Sequence, residues 1–163
     1  MSPNAVGRIQ GQRSVHGLLQ TNPDDTSPWL SPAEIALVRT QFAYLQHDAD
    51  AFAADVCNAL FSRTPHLRTI FHGDMPQHRA KFMQMLAILV AKLHQSEAIT
   101  EQLAWLGLEH RCYGVLALDY DRMGEALMHA LSGHLGTAFH ASSRTAWSKA
   151  YVFIASSMQS AQA

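Results

Sequence analysis

Apolar residues in this chain recur every three or four positions in block after block, and no stretch alternates convincingly with period two. The blocks are Ile35, Val38, Phe42 and Leu45; Phe52, Val56, Leu60 and Phe61; Phe82, Met85, Leu86, Leu89, Val90 and Leu93; Ile99, Leu103, Leu106 and His110; Tyr120, Met123, Leu127, Leu131 and Leu135; Trp147, Tyr151, Ile154 and Met158. That spacing puts each set on one face of a helix. Such faces leave water only by packing on one another, so the expected fold class is all-α. A length of 163 residues with 48% hydrophobic content is enough for one domain with a sizeable core.

The start of the domain is also legible. Ser31-Pro32-Ala33-Glu34 reads as a capping box with proline at the first helical position, and Leu30 and Ile35 are spaced as a hydrophobic staple. Upstream, residues 1–30 carry Gly, Pro, Ser, Asn and Asp with little periodicity, and "TNPDDTSP" reads as a linker. The expected organisation is a flexible N-terminal extension over 1–30 and a helical domain over 31–160. Pro65 opens a short helical turn, and Phe71-His72-Gly73-Asp74 forms a corner.

Several function classes are disfavoured. A formal charge of −1 gives no electrostatic reason to bind nucleic acid or an anionic membrane. No apolar run approaches the ~20 residues of a membrane span, and "SVHGLLQTN" is too short and polar for a secretory signal. Cys57 and Cys112 make neither a zinc pattern nor a disulfide framework. No C-x-x-C-H sequence exists for covalent haem attachment. Free thiols in a reducing cytoplasm are expected.

The stretch "WLGLEHRCYGV" raises the question of chemistry. His110 lies on the stripe of Ile99, Leu103 and Leu106, at the last turn of its helix. An isolated inward histidine is most often a core residue bonded to a carbonyl. His78 shares the inner arc of Phe82 and Met85 on another long helix. Imidazole is a common ligand of metals and haem iron, and two histidines on facing helices suit a planar cofactor, though two unrelated core histidines fit the spacing equally. Methionines 83, 85, 123, 128 and 158 read as core filling. Histidines 16, 47, 66, 94, 129, 134 and 140 read as surface or packing residues.

From Ser31 to about Met158 the chain resembles a bacterial single-domain globin of the flavohaemoglobin-like family. The stretches that carry the likeness are "LFSRTPHLRTIF", "HRAKFMQMLAILV", "LGLEHRCYGV", "DYDRMGEALMHAL" and "AWSKAY", in order and with compatible gaps. The resemblance implies a globin fold around a non-covalent b-type haem (iron protoporphyrin IX). It assigns His110 as the proximal iron ligand and His78 as the distal residue. Phe71 becomes the corner phenylalanine on the porphyrin, with Phe82 and Cys57 over the ligand site. Lys81 reaches toward a propionate, Tyr120 lies near the proximal imidazole, and Leu106 and Val115 border the cofactor. Gly114 lets the chain turn away from the haem edge.

The departures matter as much. Many relatives carry tyrosine where Cys57 stands, glutamine at His78 and leucine at Phe82. A thiol is a weaker donor than a phenol, so stabilisation of a bound gas falls to His78. That histidine can also bind iron itself and make the haem hexacoordinate, which lowers apparent ligand affinity by the fraction of closed molecules. The glutamate that pairs with the proximal histidine in flavohaemoglobins has no charged counterpart near the C-terminus, where only Gln159 and Gln162 are polar candidates; Glu109 reads as solvated. The expected function is reversible binding, or oxygen transport, of dioxygen or another diatomic gas such as nitric oxide or carbon monoxide. The alternatives are nitric oxide dioxygenation or nitrite reduction with a separate reductase, and haem-based gas or redox sensing.

Overall fold

The computed structural model of the protein describes residues 29–160. Six α-helices occur among them: α1 (Pro32–Leu45), α2 (Ala49–Arg63), α3 (Met75–Ala91), α4 (Ser96–Cys112), α5 (Ala117–Leu135) and α6 (Ala141–Ser160). Short 3-10 turns occupy Gln46–Asp48, Pro65–Thr69 and Gly136–Ala138. No strand occurs among the described residues. The flexible extension expected over 1–30 lies, but for its last two residues, outside the described part.

The capping box forms as its sequence predicts. Ser31 Oγ accepts from the Glu34 backbone N–H at 3.2 Å, and a Glu34 carboxylate oxygen accepts from the Ser31 N–H at 2.9 Å. Leu30 and Ile35 are both buried in the main core. Glu34 also meets Lys149 Nζ at 2.8 Å, which ties the start of α1 to α6. These contacts hold the Glu34 carboxyl below its ordinary range, with the Lys149 bond the largest cause.

The main core joins α1, α2, α3, α5 and α6 around Val38, Phe52, Val56, Leu131 and Trp147. Inside it runs one polar chain. The Gln41 amide donates to the Ala138 carbonyl at 3.0 Å and to Ser143 Oγ at 2.8 Å, and accepts from Trp147 Nε1 at 2.9 Å. Gln41→Leu keeps the volume but leaves the indole N–H orphaned in the interior. The expected loss is about 2–3 kcal/mol of unfolding free energy, read from a urea titration.

Two smaller apolar clusters flank the core. One gathers Leu89, Ile99, Leu103, Tyr120, Phe153 and Met158, with Leu106 and Val115 against it. The other gathers Ala59, Leu60, Phe61 and Leu67, with Cys57 and Phe71 against it. Their separation follows from how the helices pair. α3 packs mainly on α2 and α1, whereas α4 packs mainly on α6. Consecutive in sequence, α3 and α4 are not principal partners; the region between the half-buried faces that carry His78 and His110 is called the slot below. The approach of α4 to α6 depends on Gly107. A Cβ built there would stand 2.0 Å from the Met158 carbonyl oxygen.

Candidate functional site

The slot takes its walls from helical spacing. On α3, His78, Phe82, Met85 and Leu89 follow at intervals of four, three and four, so they share a face. On α4, Leu103, Leu106 and His110 do the same. His78, Phe82, Leu106, His110, Val115, Phe71 and Cys57 are all half-buried. Met85, which its stripe predicts as core filling, is 38% exposed. Large apolar side chains half-uncovered around a shared gap are what an apolar pocket requires.

One end of the slot is the corner after α2. Gly73 turns the chain there with φ +92°. Phe71 meets the edge of Phe61 at 5.1 Å and the His78 ring at 5.4 Å, both nearly perpendicular. His78 Nε2 donates to the His72 carbonyl at 2.7 Å. Cys57 packs beside Phe71 in the same cluster. Burial pushes its thiol above the usual range, with Arg79 opposing, so the group stays protonated and a weak donor. Lys81 is exposed one turn beyond His78, at the slot's outer rim.

The other wall carries His110. A carbonyl can only accept, so His110 Nδ1–H donates to Leu106 O at 2.9 Å. The proton is thereby fixed on Nδ1, and Nε2 keeps its lone pair for a metal. Burial pushes His110 below its ordinary value of 6.5, and the Leu106 bond and Glu109 push weakly the other way. The imidazole is therefore neutral at pH 7, the form that ligates. Tyr120 stacks loosely against it, with ring centroids 6.3 Å apart and planes inclined by 29°. Gly114, at φ +89°, then turns the chain away and lets Val115 reach the same cluster.

Three supporting features escape sequence reading. Asp119 is buried; it accepts from the Leu116 N–H at 2.8 Å and pairs with His66 Nε2 at 3.1 Å. That joins the turn after α2 to the start of α5, across the end of the slot. The Tyr151 hydroxyl donates to the Tyr120 carbonyl, and burial first, then Tyr120 and Asp121, push that phenol far above its usual range. Gly124 makes room, since a Cβ there would stand 2.8 Å from the Tyr151 ring. His66, read as a surface or packing residue, is exposed and meets this buried carboxylate.

The donor set suits haem. One imidazole offers Nε2, a second stands on α3, an aromatic marks the corner, and most of the residues around them are apolar. Among the described residues no group of three or more His, Cys, Asp or Glu could hold a metal ion directly. An iron here would need a porphyrin to complete its coordination.

The comparison with known proteins agrees. A model of the globin family, described as "Globin", matches residues 54–158, from α2 to the end of α6. The chain belongs to the globin family. Similar curated globins include neuroglobin of Dissostichus mawsoni, 26% identical over 143 residues, covering 79% of this chain and 90% of that protein. Neuroglobins of Danio rerio and Tetraodon nigroviridis are 27% and 26% identical over the same lengths. The all-α globin fold expected from the sequence is thus shown. The narrower likeness to bacterial flavohaemoglobin-like globins is not what these relatives display, since they are neuroglobins of fishes. Membership of the family makes this chain a haem-binding globin.

Proposed function

We propose that this globin binds a b-type haem through His110 and takes up dioxygen or another diatomic gas reversibly beneath His78. The globin domain in this reading spans residues 31–160, with 1–30 as an extension. The carrying observation is the Leu106 bond to His110, which presents a neutral imidazole with Nε2 free. When bound, haem would supply an iron able to take up a diatomic ligand. His110 holds the cofactor from one side and Leu106 keeps its ring oriented. Phe71, Phe82, Leu106 and Val115 supply apolar walls that exclude water, and Lys81 can offset a propionate at the rim.

His78 then acts as the distal gate. Its Nε2 already carries the proton, shared with the His72 carbonyl, so it can turn that donor to a gas ligand without changing tautomer. Bis-histidyl hexacoordination is the second reading, supported by a half-buried His78 with no tyrosine at position 57. It requires the Nε2 proton to move to Nδ1 and the His72 bond to break. The nitric oxide dioxygenase, nitrite reductase and sensor readings remain alternatives. Against strong peroxide-type chemistry stands the partner of His110, a neutral carbonyl, where a carboxylate would raise imidazole basicity. Glu109 is exposed, and Gln159 donates to the Ala155 carbonyl.

His78→Leu tests both readings. If His78 donates to bound gas, dioxygen dissociation should quicken about tenfold, the value of one hydrogen bond, with little change in the deoxy spectrum. If His78 ligates iron, the wild-type ferrous spectrum is low-spin six-coordinate, the variant is five-coordinate, and carbon monoxide binding accelerates. Unchanged dissociation together with an unchanged spectrum contradicts any distal role for His78.

A further inference from the structure

Two histidine–aspartate pairs tie α5 to α2 and to the turn that follows it, one near each end of α5. Near its C-terminus, His134 Nε2 meets Asp55 of α2 at 2.6 Å. Near its N-terminus, Asp119 meets His66 Nε2 at 3.1 Å. Their settings differ. The Asp55 side chain is 57% exposed, whereas that of Asp119 is 3% exposed. A carboxylate taken out of water must be paired, and the exposed His66 reaches down to it from the turn after α2. The same carboxylate accepts from the Leu116 N–H at 2.8 Å. One buried group thus grips two segments beside the slot. Leu116 follows Val115, and Tyr120, next to Asp119, stacks against His110. His66 precedes Leu67, which packs in one cluster with Phe71.

We propose that the His66–Asp119 pair is a clasp that slows the escape of haem, a proposal that rests on the haem-binding reading above. Helical spacing gives the clasp its place. Asp119, Met123 and Ala126 follow at intervals of four and three on α5, so they share a face. Met123 and Ala126 belong to the cluster of Phe71, which sets Asp119 toward the corner. Tyr120, one position on, turns to the cluster of Leu103 and Met158. The first turn of α5 therefore joins the corner with Phe71 to the wall with His110. Haem leaves when these two part, and parting them takes the imidazole of His66 from a buried carboxylate. A bond to such a group costs more to break than an exposed pair. His66 is a positioning residue, acting through Asp119. The His134–Asp55 pair repeats the chemistry roughly 22 Å farther along α5, away from both His110 and Phe71.

The rate of haem transfer from the full-length, haem-loaded chain to an excess of a haem-scavenging apoprotein tests this. His66 is exposed, so changing it leaves the core filled. His66→Ala should quicken haem loss about tenfold, the scale of one hydrogen bond to a carboxylate, with ferric and ferrous spectra unchanged because His110 and His78 remain. His66→Gln keeps an N–H donor at nearly the same reach and should restore most of the wild-type rate. His134→Ala should leave haem loss as it is. Loss from His66→Ala at the wild-type rate overturns the clasp. So does equal acceleration in His134→Ala, which marks a general loosening of α5, and so does a failure of His66→Gln to restore the rate. Each of these results leaves the haem-binding reading standing. A wild-type chain that takes up no hemin overturns that reading and the clasp with it.

Discussion

Replacing His110 by glycine is expected to abolish the native optical signature of the haem-loaded protein and to weaken haem retention by about 100-fold or more, the scale of roughly 3 kcal/mol. One hydrogen bond sets the size of this effect. Leu106 O fixes the proton on Nδ1 and burial keeps the ring neutral, so Nε2 keeps the lone pair that would hold iron. Glycine removes that donor and leaves a space the size of an imidazole. Millimolar imidazole added to the variant should fill it and restore a five-coordinate ferrous spectrum. The helix itself should survive: glycine costs up to about 1 kcal/mol in a helix interior, and position 110 lies in the last turn before Cys112. Far-ultraviolet circular dichroism separates loss of the ligand from loss of the fold. Retention of the native spectrum by His110→Gly without imidazole would remove the proximal assignment.

The second large effect is expected at Gly107, where α4 meets α6. A methyl group there meets the Met158 carbonyl oxygen at 2.0 Å, its carbon at 2.7 Å and the Met158 Cα at 2.9 Å. All three are backbone atoms of α6, so no side chain can rotate aside. α4 must separate from α6 or tilt. Gly107→Ala therefore costs about 3 kcal/mol, the upper part of the overpacking range, against a gain of up to 1 kcal/mol in helix propensity. Because His110 lies three residues on, the same displacement should loosen haem retention while every ligand and wall residue remains present. A midpoint of urea unfolding equal to that of the wild type would contradict the close packing of α4 on α6.

The contrast between these two positions shows what could be read from the sequence. His110 stood out because a histidine interrupted an apolar stripe, and the motifs around it resembled those of a globin. Gly107 had no such mark. Its role arises from the distance between two helices, and helical spacing within one chain segment carries no information about that distance. The six helices were legible for the same reason that the slot was not. A stripe says which face is buried, not which helix covers it, so Met85 on α3 read as core filling although it is exposed. Trp105, Leu108 and Tyr113 likewise fell between the inward positions and drew no inference, although their exposure is the chief surface anomaly of α4. His66 and His134 read as surface or packing residues, and their partners, Asp119 and Asp55, lie 53 and 79 residues away in the chain. Local spacing cannot find such pairs. The capping box at Ser31, the corner at Gly73 and the turn at Gly114 are set by neighbours in sequence, and there the expectation and the structure coincide.

The central claim is that the slot between α3 and α4 holds one haem on the imidazole of His110. Titration of the haem-free protein with hemin, followed by reduction and addition of carbon monoxide, tests it most directly. The account predicts a Soret band that saturates at one equivalent, shifts on reduction and sharpens with carbon monoxide. A titration with no break at one equivalent, leaving only the broad absorption of free hemin, would contradict it.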